Sequence, residues 1–307
     1  MSCLDDIRHI ISIKDFSRDQ IIEILKLSSK METVRDQSLL GKTVATLFFE
    51  PSTRTRLSFE AAMLQLGGST LGFADAMVSS AKKGETLHDT IKVMTQYVDC
   101  IVIRHHLEGA ARVAAEASTV PVINGGDGAN QHPTQTFLDI FTIWKSHPEL
   151  IKDKLLKIAM VGDLRYGRTV HSLLNALAYF NVEFKFISPP GLELPETYQN
   201  FLRAKGIEFK MSHDIAEYVN DVDVMYATRI QEERFPDPVE FLKVKGSYRI
   251  TADLLKNTKE NFKILHPLPR VFEVDRSVDN LKATAYFEQA GNGIPVRKAL
   301  LHLLLNR

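Results

Sequence analysis

The chain is 307 residues long and 44% hydrophobic, room for roughly two domains with cores of their own. Its 38 basic residues balance 38 acidic ones, which argues against a nucleic-acid binder, a membrane-surface protein or an acidic tail, so any anion specificity must be local. Cys3 and Cys100 are the only cysteines, too few for a disulfide framework or a cysteine-based zinc site.

The start, MSCLDDIRHI, lacks a basic region followed by a long apolar run, and no stretch is apolar enough for a membrane span, so a cytoplasmic address is expected. Asp19 to Lys30 reads as an amphipathic helix with Ile21, Ile24 and Leu25 on one face. Short β-branched or apolar runs then recur at TVATLFF (43–49), STLGF (69–73), CIVIR (100–104), VPVIN (120–124), KIAMVGD (157–163), VEFKFIS (182–188), DVMYAT (223–228) and FKILHPL (262–268). Alternating with helical patterns, they predict an α/β chain of two domains, each a mostly parallel sheet flanked by helices. The polar, proline-bearing KSHPELIKDK (145–154) separates the two series, giving domains at 1–148 and 149–289. GIPVRKALLHLLLNR (293–307) reads as a closing amphipathic helix, beginning near 290, that packs back onto the first domain.

FFEPSTRTRLSFE (48–60) carries the first chemical signal. Ser52 suits the N-cap of a helix opening at Thr53, with Leu57, Ala61 and Leu64 repeating on one face until Gly67 and Gly68 end it. A first turn favours acidic residues, because its free N–H groups and the helix dipole make that end positive, yet Arg54 and Arg56 add positive charge. A bound anion resolves the conflict: N–H groups, hydroxyls and a guanidinium fork suit a phosphate.

SSAKKGETLHDT (79–90) is a polar loop with a helix start near Glu85 and Thr86, readable as an exposed loop or as a basic lid over phosphate. Arg104 closes an apolar strand, at the end where open α/β sheets bind ligands. In HPTQT (132–136), Pro133 suits a first helical position and places His132 beside a helix N-terminus, where a neutral imidazole can donate to a carbonyl oxygen. Ten histidines invite a metal reading, but no HExxH or comparable spacing occurs and His105 and His106 are merely adjacent, so no metal is expected. GDLRYGRT (162–169) has the spacing of a P-loop with Arg168 in place of its lysine, and it lacks the three-glycine dinucleotide fingerprint, which argues against an NTP or NAD site. Arg168 remains a carboxylate binder at a strand end. ATRIQEERFPDP (227–238) brings Arg229 and Gln231, while HPLPR (266–270) has two prolines without N–H groups, so it presents carbonyl acceptors suited to an NH2 group or forms a rigid turn.

Taken in order, STRTR (52–56), KKGET (82–86), RH (104–105), HPTQT (132–136), GDLRYGRT (162–169), TRIQ (228–231) and HPLPR (266–270) resemble the aspartate/ornithine carbamoyltransferase family over nearly the whole chain. Ornithine-using members carry a cysteine in the late loop, as HCLP; Pro267 and the TRIQ stretch are similar to the aspartate-using branch. The lid differs in having Ala81 between Ser80 and Lys82.

The resemblance implies carbamoyl transfer from carbamoyl phosphate to L-aspartate for pyrimidine synthesis, without a cofactor; ornithine or another amine acceptor is the alternative. It implies a carbamoyl-phosphate domain first, an aspartate domain second, and a homotrimer with active sites shared between subunits, and it admits separate regulatory chains. Ser52, Thr53, Arg54 and Thr55 would grip the phosphate with Arg104, joined by Ser79 and Lys83 from a neighbouring chain. Thr55, Arg104 and His132 would polarise the carbamoyl oxygen, and Gln135 with the Pro267 and Leu268 carbonyls would hold the carbamoyl nitrogen. Arg168, Arg229 and Gln231, with Lys83, would bind aspartate. Arg56 is left without a ligand and is expected to brace the site through a salt bridge.

Overall fold

The computed structural model of the chain describes residues 3–74, 84–230, 239 and 248–306. Two compact units emerge, one of Met1–Phe141 with Gly291–Arg307, the other of Thr142–Ala290. The chain passes from the first to the second inside a helix, ahead of the polar segment that marks the boundary in sequence.

In the first unit α1 (Arg18–Lys30) is held at its start by a Ser17–Gln20 capping box and buries Ile21, Ile24 and Leu25, as its periodicity predicts. Four strands follow, β1 (Thr43–Phe48), β2 (Ser69–Phe73), β3 (Cys100–His105) and β4 (Val122–Asp127). They form a parallel sheet in the order β2-β1-β3-β4. β3 and β4 are buried along their whole length and β1 along nearly all of it, which is why they read as continuous apolar runs. The intervening helices are α2 (Thr53–Gln65), α3 (Leu87–Met94), α4 (Ala110–Ala117) and α5 (Pro133–Ser146). Thr86 caps α3 by accepting from the Asp89 N–H at 3.1 Å.

Two helix faces differ from expectation. In α2 the buried residues are Thr55, Phe59, Ala62 and Met63, whereas Leu57 and Leu64 are 52% and 64% exposed. The inward stripe is therefore offset by two positions from the predicted one, which places it on the opposite side of the helix. The closing helix does pack onto α1 and α2, but it is not amphipathic. Val296, Ala299, Leu300 and Leu301 are fully buried, and Arg297 and Lys298 are buried with them. Each large aliphatic side chain so buried contributes about 1.5–3 kcal/mol. The Lys298 ammonium donates to the Val34 carbonyl at 2.6 Å.

The second unit holds β5 (Leu156–Val161), β6 (Val182–Ile187), β7 (Phe209–Ser212), β8 (Val224–Ala227) and β9 (Lys263–Leu265). All pair in parallel, in the order β7-β6-β5-β8-β9. β7, an edge strand of four residues, has no counterpart among the runs read from sequence. Helices α6 (Arg168–Leu177), α7 (Glu196–Ala204) and α8 (Tyr286–Gly291) complete the unit, and α9 (Gly293–Leu305) is the returning helix of the first. Among the described residues no helix is long and apolar enough to cross a membrane.

Candidate active site

In the first sheet β1 leads away to β2 on one side and lies beside β3 on the other. Such a switch of direction opens a crevice at the carboxyl ends of the strands. Phe48 pairs with Arg104 across those ends. Ser52 is the N-cap of α2 but makes no side-chain cap bond, and the first turn has no acidic residue. Thr53 and Arg54 are exposed, and Thr55 is buried. The uncapped N–H groups, three hydroxyls and Arg54 are thus available to an anion. Arg54 keeps solvent access although surrounding protein lowers its pKa from the ordinary arginine value by desolvation; starting so high, it remains a cation at neutral pH. Arg56 turns aside to Glu60, Nε to Oε1 at 2.9 Å, and the same carboxylate oxygen accepts from Thr46 Oγ1 at 3.1 Å. The salt bridge expected of Arg56 is thus present.

Arg104 is buried and held by the Gly125 carbonyl at 3.1 Å and by Glu50 at 3.2 Å. His132 is also buried, at the end of a loop organised by Asp127. One Asp127 carboxylate oxygen accepts from Asn124 Nδ2 at 2.8 Å and from the Gln131 N–H at 3.0 Å; the other accepts from the Gly109 N–H at 2.9 Å. Pro133 opens α5, as predicted. One turn into that helix, Gln135 Nε2 donates to the fully buried Asp139 at 2.8 Å. Because Asp139 can only accept, the Gln135 amide oxygen is left as the group available to a ligand NH2.

His105 lies behind Arg104 against Phe49, ring centroids 5.0 Å apart, and stacks on His106 at 4.3 Å. Burial, then the charge of His106, pull its pKa down to about 4, against weaker opposing effects of Glu50 and Asp127. The unfolded state takes up this proton first, so the stability present above about pH 6.5 is lost as pH falls towards about 4, roughly 2–3 kcal/mol in full. His105→Asn, whose side-chain oxygen can still accept from the Leu107 N–H as Nδ1 does at 3.0 Å, should flatten that slope. Urea midpoints at pH 7, 5.5 and 4.5 check this, and parallel slopes for the two proteins would rule it out.

In the second sheet the switch of direction falls at β5, between β6 and β8. Arg168, buried, opens α6 after β5, and Arg229 follows β8. Gly162 lets the two strand ends meet: at φ +119° its Cα lies so close that an added Cβ would sit 2.3 Å from the Thr228 carbonyl oxygen. Pro267 and Leu268 follow β9, and among the described residues no donor reaches either carbonyl.

Each unit thus gathers its own share of the predicted residues at the carboxyl edge of its sheet: Ser52, Thr53, Arg54, Thr55, Arg104, His132 and Gln135 in the first, Arg168, Arg229, Pro267 and Leu268 in the second. Ser79, Lys83 and Gln231 lie outside the described residues. Sequence reasoning passed over the acidic partners Glu50, Asp127, Asp139 and Glu273. Two of them carried a signal: Glu50, two residues ahead of the cap of α2, and Asp139, four residues beyond Gln135 on a helix.

Residues 8–145 match the family described as aspartate/ornithine carbamoyltransferase, carbamoyl-P binding domain, and residues 154–304 match its Asp/Orn binding domain. The chain is 52% identical over 303 residues to the aspartate carbamoyltransferase catalytic subunit of Thermococcus kodakarensis, covering 97% of each. It is similar to the solved catalytic subunit of M. jannaschii aspartate transcarbamoylase, with a TM-score of 0.90 and 51% identity over 97% of this chain and 98% of that one. The Trypanosoma cruzi aspartate transcarbamoylase solved with carbamoyl phosphate and aspartate gives a TM-score of 0.89 at 37% identity, over 97% of each chain.

Proposed function

Since the chain belongs to the aspartate/ornithine carbamoyltransferase family, we propose that it transfers the carbamoyl group of carbamoyl phosphate to the α-amino group of L-aspartate, giving N-carbamoyl-L-aspartate and phosphate for pyrimidine synthesis. The observation that carries this reading is the pair of separate arginine sets, Arg54 with Arg104 at one sheet edge and Arg168 with Arg229 at the other. A phosphate needs the first set and a dicarboxylate the second. Ornithine, with one carboxylate and a terminal amine, would leave an arginine without work and its own ammonium without a partner.

The chemical task is alignment of two polyanions and stabilisation of a tetrahedral oxyanion, since phosphate is already a good leaving group. Ser52, Thr53, Arg54, Thr55 and Arg104 hold the phosphate. Thr55, Arg104 and His132 polarise the carbamoyl oxygen, while Gln135 and the Pro267 and Leu268 carbonyls hold its NH2. Arg168, Arg229 and Gln231 take the aspartate carboxylates. The amine attacks the carbamoyl carbon, the bond to the phosphate oxygen breaks, and the departing phosphate accepts the proton shed by the amine. Ser79 and Lys83 come from the neighbouring subunit of a homotrimer in the cytoplasm, a trimer open to separate regulatory chains.

Assay with carbamoyl phosphate against aspartate and ornithine in parallel tests this function. Turnover with ornithine alone would overturn it, as would saturable carbamoyl-phosphate binding without product from either amine. Within the aspartate set, Arg229→Ala removes charged hydrogen bonds worth about 1.5–3 kcal/mol. The KM for aspartate should therefore rise by roughly 10–100-fold while carbamoyl-phosphate binding, followed by calorimetry, stays near wild type. Equal loss of both would count against the role.

A further inference from the structure

The loop after β9 is built around a buried dyad that no step above employs. His266 and Glu273 are each 1% exposed, and the imidazole Nε2 lies 2.8 Å from the Glu273 carboxylate. On its other side Nδ1 receives the Leu268 N–H at 2.9 Å. A backbone N–H can only donate, so Nδ1 carries no proton and the imidazole proton resides on Nε2, directed at Glu273. Burial lowers the His266 pKa, in keeping with this neutral tautomer. Glu273 also accepts from the backbone N–H groups of Val271 and Phe272, at 3.2 and 3.0 Å, which ties the returning strand of the loop to the same carboxylate. The main chain of His266 is fixed as well, its N–H donating to Gln289 Oε1 at 2.8 Å.

The bond to Leu268 matters because of what that residue is asked to do. Leu268 has φ +57°, one of only two non-glycine residues with positive φ among those described. A leucine adopts the left-handed region only where surrounding bonds hold it there. The Leu268 carbonyl, like that of Pro267, receives no hydrogen bond from the described residues. We propose that His266 and Glu273 are positioning residues: Glu273 fixes the imidazole, the imidazole holds the Leu268 N–H from behind, and the Pro267 and Leu268 carbonyls are thereby kept as acceptors for the substrate NH2. This rests on the carbamoyl-transfer reading, in which that NH2 belongs to carbamoyl phosphate.

Two substitutions separate positioning from simple support. In His266→Asn the side-chain oxygen stands near the place of Nδ1, so the acceptor for Leu268 survives while the donor to Glu273 is lost. In His266→Gln the amide nitrogen stands near the place of Nε2, so the donor survives and the acceptor is lost. The acceptor matters for catalysis, so kcat/KM for carbamoyl phosphate should be about ten-fold lower in the Gln variant than in the Asn variant. The donor matters for stability, so the Asn variant should have the lower melting temperature. Activity and stability then rank the two proteins in opposite orders, which a merely structural histidine would not produce.

Should the Asn variant fail to fold, His266→Asn with Glu273→Gln removes the stranded charge and keeps the acceptor, and it is expected to outperform His266→Gln in the same assay. Activity that tracks melting temperature, or a Gln variant as active as the Asn variants, would overturn the proposal. Failure of the underlying reading looks different, because the wild-type protein would then form no N-carbamoyl-aspartate at all.

Discussion

Arg54→Ala and Lys83→Ala proteins, each inactive alone, recover activity when they are dissociated, mixed and reassociated. Removing Arg54 takes the guanidinium from the uncapped start of α2, where no acidic residue competes with a bound anion. Losing one such preorganised charge typically costs on the order of 10²–10³ in rate, and Lys83→Ala should cost as much if that lysine reaches the same phosphate. In the proposed trimer each active site takes Arg54 from one chain and Lys83 from its neighbour. Every hybrid trimer then contains one site built from two intact contributions, so a random equal mixture should recover roughly a quarter of wild-type activity. Recovery appearing only under dissociating conditions excludes leakage from either parent. If hybrid trimers form, as resolved by tagging one chain, and activity stays at the parental level, the assignment of Lys83 to a neighbouring subunit is wrong.

What the sequence made legible follows physical lines. Strands buried on both faces leave unbroken apolar runs, and β1, β3, β5 and β6 were readable for that reason. β7 was not, because Phe209 to Ser212 is short, lies at the sheet edge and buries no residue fully. α2 misled through its leucines: Thr55 is drawn inside at the start of the helix, and the face that follows it is Phe59, Ala62 and Met63, leaving Leu57 and Leu64 outside. Arg297 and Lys298 gave α9 an apparent polar side, yet both are buried: Lys298 donates to the Val34 carbonyl, and Arg297 lies over the Phe59 ring within the field of Asp139, partners far away in the sequence.

The same distinction holds at the site. The cations and hydroxyls assigned to a ligand in the proposed function come in short motifs, because one strand end and one helix start deliver them together. The carboxylates that orient them, Glu50 on Arg104, Glu273 on His266 and Asp139 on Gln135, meet their partners through the tertiary fold or across a helix turn. No motif announces a hydrogen bond whose only function is to turn another side chain.

Asp139→Asn should therefore show two separable losses. Asp139 is fully buried, and its charge acts on Arg297, 3% exposed and seated over the Phe59 ring at 5.0 Å from the centroid. Burial already pulls the Arg297 pKa down to about 10, with Asp139 the charge that opposes the shift. Removing that charge strands a buried guanidinium, at a cost of about 3 kcal/mol in unfolding free energy. The second loss is chemical: an asparagine can offer Gln135 either an oxygen or an NH2, so the orientation of the Gln135 amide is no longer dictated and the KM for carbamoyl phosphate should rise. Adding Arg297→Met to Asp139→Asn removes the stranded charge and should restore most of the stability, since an apolar side chain of similar length suits that interior. It does nothing for Gln135, so the KM stays high. Urea denaturation and steady-state kinetics on the three proteins distinguish the outcomes. If stability and KM recover together, Asp139 acts on catalysis only through the packing of α5 against α9, and the orientation of Gln135 must be set by something else.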